Sequence, residues 1–148
     1  MSKFKIIILA AVLAGIYYLS NQPASQSWEL SMVITENLFY IIDVVSPAAE
    51  TSIGELHTLI RKSAHFLVFL LLGFATASVV KGKGTLQLRT VGIALGICIA
   101  FAVLDETHQL FVVGRGAQVE DVFIDSFGAA IGIGVYGLAA RSRNRRRQ

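Results

Sequence analysis

The chain has 148 residues, 54% of them apolar and only 16% charged, where about 25% charged is usual for soluble domains. So much apolar content with so few charges excludes disorder and an ordinary soluble domain, and the length suits a single domain. The one cysteine, Cys98, excludes an internal disulfide framework and any cysteine-based zinc site.

The predicted elements are helical throughout, because strand alternation is absent and a helix satisfies its own backbone groups in lipid. Four spans are expected, over about residues 4–20, 53–80, 90–112 and 120–140. The first follows Lys3 and contains Lys5, a layout shared with signal peptides. No small-x-small cleavage signature follows Tyr17-Tyr18-Leu19 cleanly, so the favoured reading keeps it as a span. Next comes the only long connection. Within it Leu30, Val33, Ile34, Leu38, Ile41 and Val45 recur at helical spacing. They predict an amphipathic helix over about 28–46, ended by Ser46-Pro47, that either lies on the outer membrane surface or caps the bundle. Ser52-Ile-Gly-Glu55 fits a capping box, so the second span begins near Ile53 and carries Arg61, Lys62 and His65 across the outer boundary. Gly82 and Gly84 flank Lys83 in a short inner turn. Gly92-x-x-x-Gly96 and Gly128-x-x-x-Gly132 are spaced for close helix approach. Cys98 reads as a small packing residue, and Tyr17, Tyr18 and Trp28 as an interfacial aromatic belt.

Charge sets the orientation. Ten of the 13 basic residues (Lys3, Lys5, Lys81, Lys83, Arg89, Arg141, Arg143, Arg145, Arg146 and Arg147) fall at one set of helix ends. All ten acids and all three histidines fall toward the other. Basic residues favour the cytoplasmic side. The expected placement is therefore the cytoplasmic (inner) membrane, multi-pass, with both termini in the cytoplasm. The basic tail, 141–148, directly follows a span, which suits anionic lipid better than nucleic acid.

Counting from the inner basic anchors, Lys5 to Asn21, Lys81 to His65, Arg89 to Asp105 and Arg141 to Asp125 are each 16 residues, or about 24 Å of helix. One turn further out stand Arg61, Gln109 and Asp121. The pairs Arg61 and His65, Asp105 and Gln109, and Asp121 and Asp125 are each four residues apart, so each shares one helix face. Ionisable groups in spans usually face the bundle interior or a water-filled cavity. A shared outward-facing polar layer is expected.

At these residues the chain resembles the VanZ-like family of small bacterial integral membrane proteins. The matching pieces are Ser20-Asn-Gln-Pro23, Arg61-Lys-Ser-Ala-His65-Phe66, Asp105-Glu-Thr-His-Gln109, Arg115, and Asp121-Val-Phe-Ile-Asp125 with Gly128. The family takes its name from a protein associated with low-level resistance to the glycopeptide teicoplanin. The resemblance implies an all-α polytopic fold and motif positions, and it brings no catalytic assignment with it.

Three readings of the polar layer stay open. It is a structural ion-pair layer that fixes helix register. Alternatively it binds a cell-envelope lipid headgroup or lipid-linked cell-wall precursor, with an influence on glycopeptide susceptibility. In that case Arg61, Lys62 and Arg115 hold phosphate, while Gln109, Asp121 and Asn21 orient the ligand. Or it is a membrane-embedded hydrolase or transferase acting on a lipid-linked phosphate, with His65, Asp105, Glu106 and Asp125 as acid–base candidates. No cofactor is expected. A metal site through His65, His108 and the acids is disfavoured, because Asp105, His108 and Gln109 cannot all point to one face and no H-E-x-x-H motif occurs. The oligomeric state is not readable from the sequence.

Overall fold

The computed structural model describes residues 3–45, 52–81 and 86–145. They form five helices, α1 (Lys3–Ser20), α2 (Ala24–Val45), α3 (Ile53–Val80), α4 (Leu88–Gln109) and α5 (Val119–Arg145), and no strand among the described residues. α1, α3, α4 and the Val119–Ser142 part of α5 are each long and apolar enough to cross a membrane. The expected Ser46-Pro47 stop after α2, the Gly82–Gly84 turn and the last residues of the basic tail lie outside the described residues.

α3 is the hub and packs against each of the other four helices. Its 28 residues span about 42 Å, longer than a hydrocarbon core of about 30 Å, so its first turns project beyond the apolar layer. The capping box forms as its residues dictate. The Ser52 hydroxyl accepts from the Glu55 backbone N–H at 3.2 Å, and the Glu55 carboxylate accepts from the Ser52 N–H at 3.2 Å. At the opposite end Lys5 of α1 donates to the Ser78 carbonyl of α3 at 2.8 Å. That contact fixes the two helices antiparallel and places a cation at a helix C-terminus.

The interior is built from small residues. Ala75, Ala77, Ala94, Cys98, Ala102 and Ala129 are buried, with Ile16, Leu56, Phe69, Leu72 and Ile133 as the large exceptions. α3 and α5 come closest. A β-carbon on Gly73 would collide with the Ala129 carbonyl, one on Gly128 with that of Phe66, and one on Gly132 with that of Leu70. Small residues let backbones approach where no hydrophobic force pulls helices together in lipid. The other spaced pair departs from expectation, since Gly92 and Gly96 have nothing within 4 Å of an added β-carbon. They stand on an open face of α4. Large apolar side chains lie outside instead, among them Phe4, Leu67, Leu104, Phe123 and Leu138. That inside-small, outside-large distribution matches a hydrocarbon surround and not water.

Three boundaries differ from the sequence reading. α4 stops at Gln109, because Leu110–Gly114 form turns closed by Gly114 at φ 77°, a backbone region that glycine enters without strain. α5 continues through the first part of the basic tail to Arg145, where no residue breaks it. α2 starts at Ala24, and it turns Ser31 and Thr35 toward the bundle, whereas Leu30, Val33, Ile34, Leu38 and Ile41 are exposed. Val33, Leu38 and Ile41 of its apolar stripe thus face away from the bundle, while Leu30 and Ile34 stand at the rim of a cavity shared with α1 and α3.

Candidate functional site

The end of the bundle that holds the α1–α2 and α4–α5 connections also holds the polar layer. Four side chains converge there. His65 from α3, Asp105 and Glu106 from α4 and Asp125 from α5 each bring one N or O atom into a group whose members all lie within 4.8 Å of one another. His65 Nδ1 stands 3.4 Å from Asp125 Oδ1, and Asp125 is fully buried. Gln109, one turn beyond Asp105, donates from Nε2 to Asp105 Oδ2 at 3.2 Å. The Gln118 backbone N–H, just before α5, donates to Glu106 Oε2 at 2.8 Å. The depth count from the basic anchors thus finds real neighbours in His65, Asp105 and Asp125.

The outer tier is also partly assembled. Arg61 reaches toward Asp121 at 4.0 Å, the edge of ion pairing, with Asp121 buried beneath it. Arg115, in the α4–α5 connection, donates to the Leu19 carbonyl at 3.2 Å and makes no ion pair with a described carboxylate within 4 Å. Partial burial draws its guanidinium below the usual range, and Asp105 works against that shift. It stays cationic at any physiological pH.

Two cavities share this end. One, of about 290 Å³, has apolar walls from α1, α2 and α3, including Ile16, Leu19, Leu30, Ile34 and Phe69, and a polar side of Arg61, His65, Asp105, Gln109 and Arg115. The other, of about 270 Å³, lies among Trp28, His57, Gln118 and Asp121 and shares Ser31, Arg61, His65, Gln109 and Arg115 with the first. Both arginines therefore border both cavities.

Two expected ligand residues stand apart. Asn21 is exposed in the turn that begins once α1 stops at Ser20, and it borders neither cavity; the neighbouring Gln22 lines the apolar one instead. Lys62 is rotated about 100° around α3 from Arg61 and pairs on the exposed flank with Glu120 at 2.9 Å. His108 also turns away, its ring lying 5.6 Å from that of Tyr17. His108 is thus not a member of the cluster, and Glu106, two residues before it, takes the inward place.

His57 belongs to none of the motifs visible in the sequence. It is buried, its ring stacks 4.0 Å from that of Trp28, and its Nε2 lies 2.8 Å from Ser31 Oγ. His57 and Trp28 join the first turns of α2 and α3 beside the second cavity. The signal was there in the capping box, because a residue in the first two turns of a helix that starts outside lipid is free to meet a surface helix.

A family model described as VanZ/LLP1 matches residues 4–140, and the chain belongs to that family of membrane proteins. No curated protein and no solved structure matches it.

Proposed function

We propose that this VanZ/LLP1 family membrane protein uses its polar end to bind the phosphate-bearing headgroup of a cell-envelope lipid. The observation that carries the reading is the larger of the two cavities, in which Arg61 and Arg115 stand on a polar side, with His65, Asp105 and Gln109, opposite walls of aliphatic and aromatic side chains. An amphiphile needs that combination. Its phosphate meets planar guanidinium groups that match its oxygens in pairs, and its chain meets Ile16, Leu19 and Phe69. Arg115 retains donors beyond its single bond to the Leu19 carbonyl.

In this reading the polar end faces outward from the cytoplasmic membrane and both termini lie in the cytoplasm. The inner ends carry Lys3, Lys5, Lys81, Arg89 and Arg141, and no acid. The outward headgroup layer also holds the target of glycopeptides, so a protein that withholds or redistributes such a lipid shifts glycopeptide susceptibility.

Native mass spectrometry of the purified full-length protein, offered a long-chain polyprenyl phosphate, phosphatidic acid and uncharged diacylglycerol, tests the proposal. Retention of the two phosphate lipids over diacylglycerol, lost together in Arg61→Gln/Arg115→Gln, is the expected result. Equal retention of diacylglycerol, or an unchanged profile in the folded double variant, overturns it.

A further inference from the structure

Beneath the arginines lies a group of different chemistry. We infer that His65, Asp105, Glu106 and Asp125 form a binding site for one divalent first-row transition-metal ion, of the Mn²⁺ or Zn²⁺ class, at the floor of the cavity. The inference does not rest on the headgroup reading.

Three features carry it. First, the distances fit. An ion with ligands at about 2.0–2.2 Å needs its donors about 3.3–3.6 Å apart in a tetrahedron, and up to about 4.4 Å apart across an octahedron. The four donor atoms lie within 4.8 Å of one another, so the widest pair closes on an octahedral ion by about 0.4 Å and on a tetrahedral one by about 1.2 Å.

Second, the buried carboxylates are short of hydrogen bonds, and Asp125 has only the 3.4 Å approach of His65 Nδ1. Neither oxygen of the fully buried Asp125 makes a hydrogen bond among the described residues, and neither does Oε1 of Glu106, which is 3% exposed. Buried polar atoms are ordinarily satisfied, and an orphaned one asks for an explanation. Here the orphans belong to two members of one cluster, which gathers up to three negative charges around a single imidazole. A divalent ion satisfies the oxygens and offsets most of that charge together.

Third, the outer oxygens are already held. The Gln118 N–H fixes Glu106 Oε2, and the Gln109 amide fixes Asp105 Oδ2. Each bond occupies one oxygen and leaves its twin without that donor. Outer partners of this kind orient ligating carboxylates and tune their affinity. The Gln118 bond comes from the backbone, so it persists whatever side chain stands there.

The donor set selects the ion class. Carboxylates alone favour magnesium or calcium, whereas an added imidazole draws first-row transition ions. With no cysteine in the group, softer ions gain nothing from it. The competing arrangement is a proton shared between carboxylates, and it makes a different forecast.

The test is direct titration of the full-length protein in detergent, chelator-treated and desalted, with MnCl₂ and separately with ZnCl₂, and no lipid added. Free Mn²⁺ is read by electron paramagnetic resonance and zinc by competition with a chelating dye. One equivalent per chain is expected. His65→Gln and Asp105→Asn, each checked as monodisperse, weaken binding by more than about 100-fold, beyond the loss of an outer partner. Gln109→Leu weakens it by about tenfold, and Glu120→Gln on the exposed flank leaves it unchanged. If Asp125→Asn does not fold, the other two ligand variants decide the matter. Failure of the wild-type protein to bind either ion, or binding of equal strength in folded His65→Gln and Asp105→Asn, overturns the inference. Because no lipid is present, neither result depends on headgroup binding.

Discussion

The pair of His65 and Asp125 offers a sharp test of how the polar layer is held together. The two groups lie 3.4 Å apart, with Asp125 fully enclosed. Unit charges at that distance attract by about 5 kcal/mol at an effective dielectric constant of roughly 20. Breaking a buried pair from one side costs about 3–5 kcal/mol, because the survivor stays buried and uncompensated. His65→Leu is therefore expected to lose about 3–5 kcal/mol, since it strands Asp125 beside Asp105 and Glu106. Asp125→Leu is expected to cost less, about 1–3 kcal/mol, because an imidazole can remain as a neutral ring that needs only a hydrogen-bond partner. The double variant replaces the pair with aliphatic bulk and should lie within about 2 kcal/mol of wild type. Equilibrium unfolding of the chelator-treated protein in mixed dodecylmaltoside and dodecyl sulfate micelles measures all three. The expected signature is a double variant more stable than His65→Leu alone. Losses that simply add, to within about 0.5 kcal/mol, would show that the two side chains do not interact and refute the reasoning.

Three further outcomes are expected. Gly128→Ala and Gly132→Ala each drive a β-carbon into the α3 backbone and should lower stability by about 1–3 kcal/mol in thermal scans, while Gly92→Ala on its open face should be neutral or slightly stabilising. His57→Ala removes the Trp28 stack and the Ser31 contact; about 1–3 kcal/mol of local stability should be lost, read as faster hydrogen exchange confined to the first turns of α2 and α3. Lys62→Ala breaks only a surface pair with Glu120, which is screened by solvent and salt, so the melting temperature and lipid retention should both stay at wild-type values.

The spans were legible because apolar runs of membrane length have few other uses, and α3 was legible to the residue because Ser52 and Glu55 announce its start. The end of α4 was not. Leu110, Phe111, Val112 and Val113 look like span and are turn, and only Gly114 hints at the break. Composition reports affinity for lipid, whereas a turn is set by backbone conformation. The same distinction governs the site. Counting from the basic anchors gave the depth of His65, Asp105 and Asp125, since rise per residue is fixed. Rotation about each axis was harder. Asn21 stands at the right depth on a helix that has already ended, and Lys62 stands one residue, hence about 100°, off the inward face. α2 misled in another way. Its apolar stripe was visible, but periodicity does not say whether a stripe faces protein or lipid, and here the inward positions are half-buried Ser31 and buried Thr35.

The dominance of the α3–α5 seam has a bearing on biosynthesis. Arg61 and His65 leave the ribosome in the second span, yet Asp121 and Asp125, which answer them, belong to the last. Until that final segment is inserted, Arg61 lacks Asp121, His65 has only Asp105 and Glu106 of the third span, and Gly73 has no backbone to receive. The nascent chain is thus committed to full-length synthesis before its bundle can close. A product truncated ahead of residue 119 would be left as a bundle with its charges orphaned, a natural substrate for membrane proteolysis.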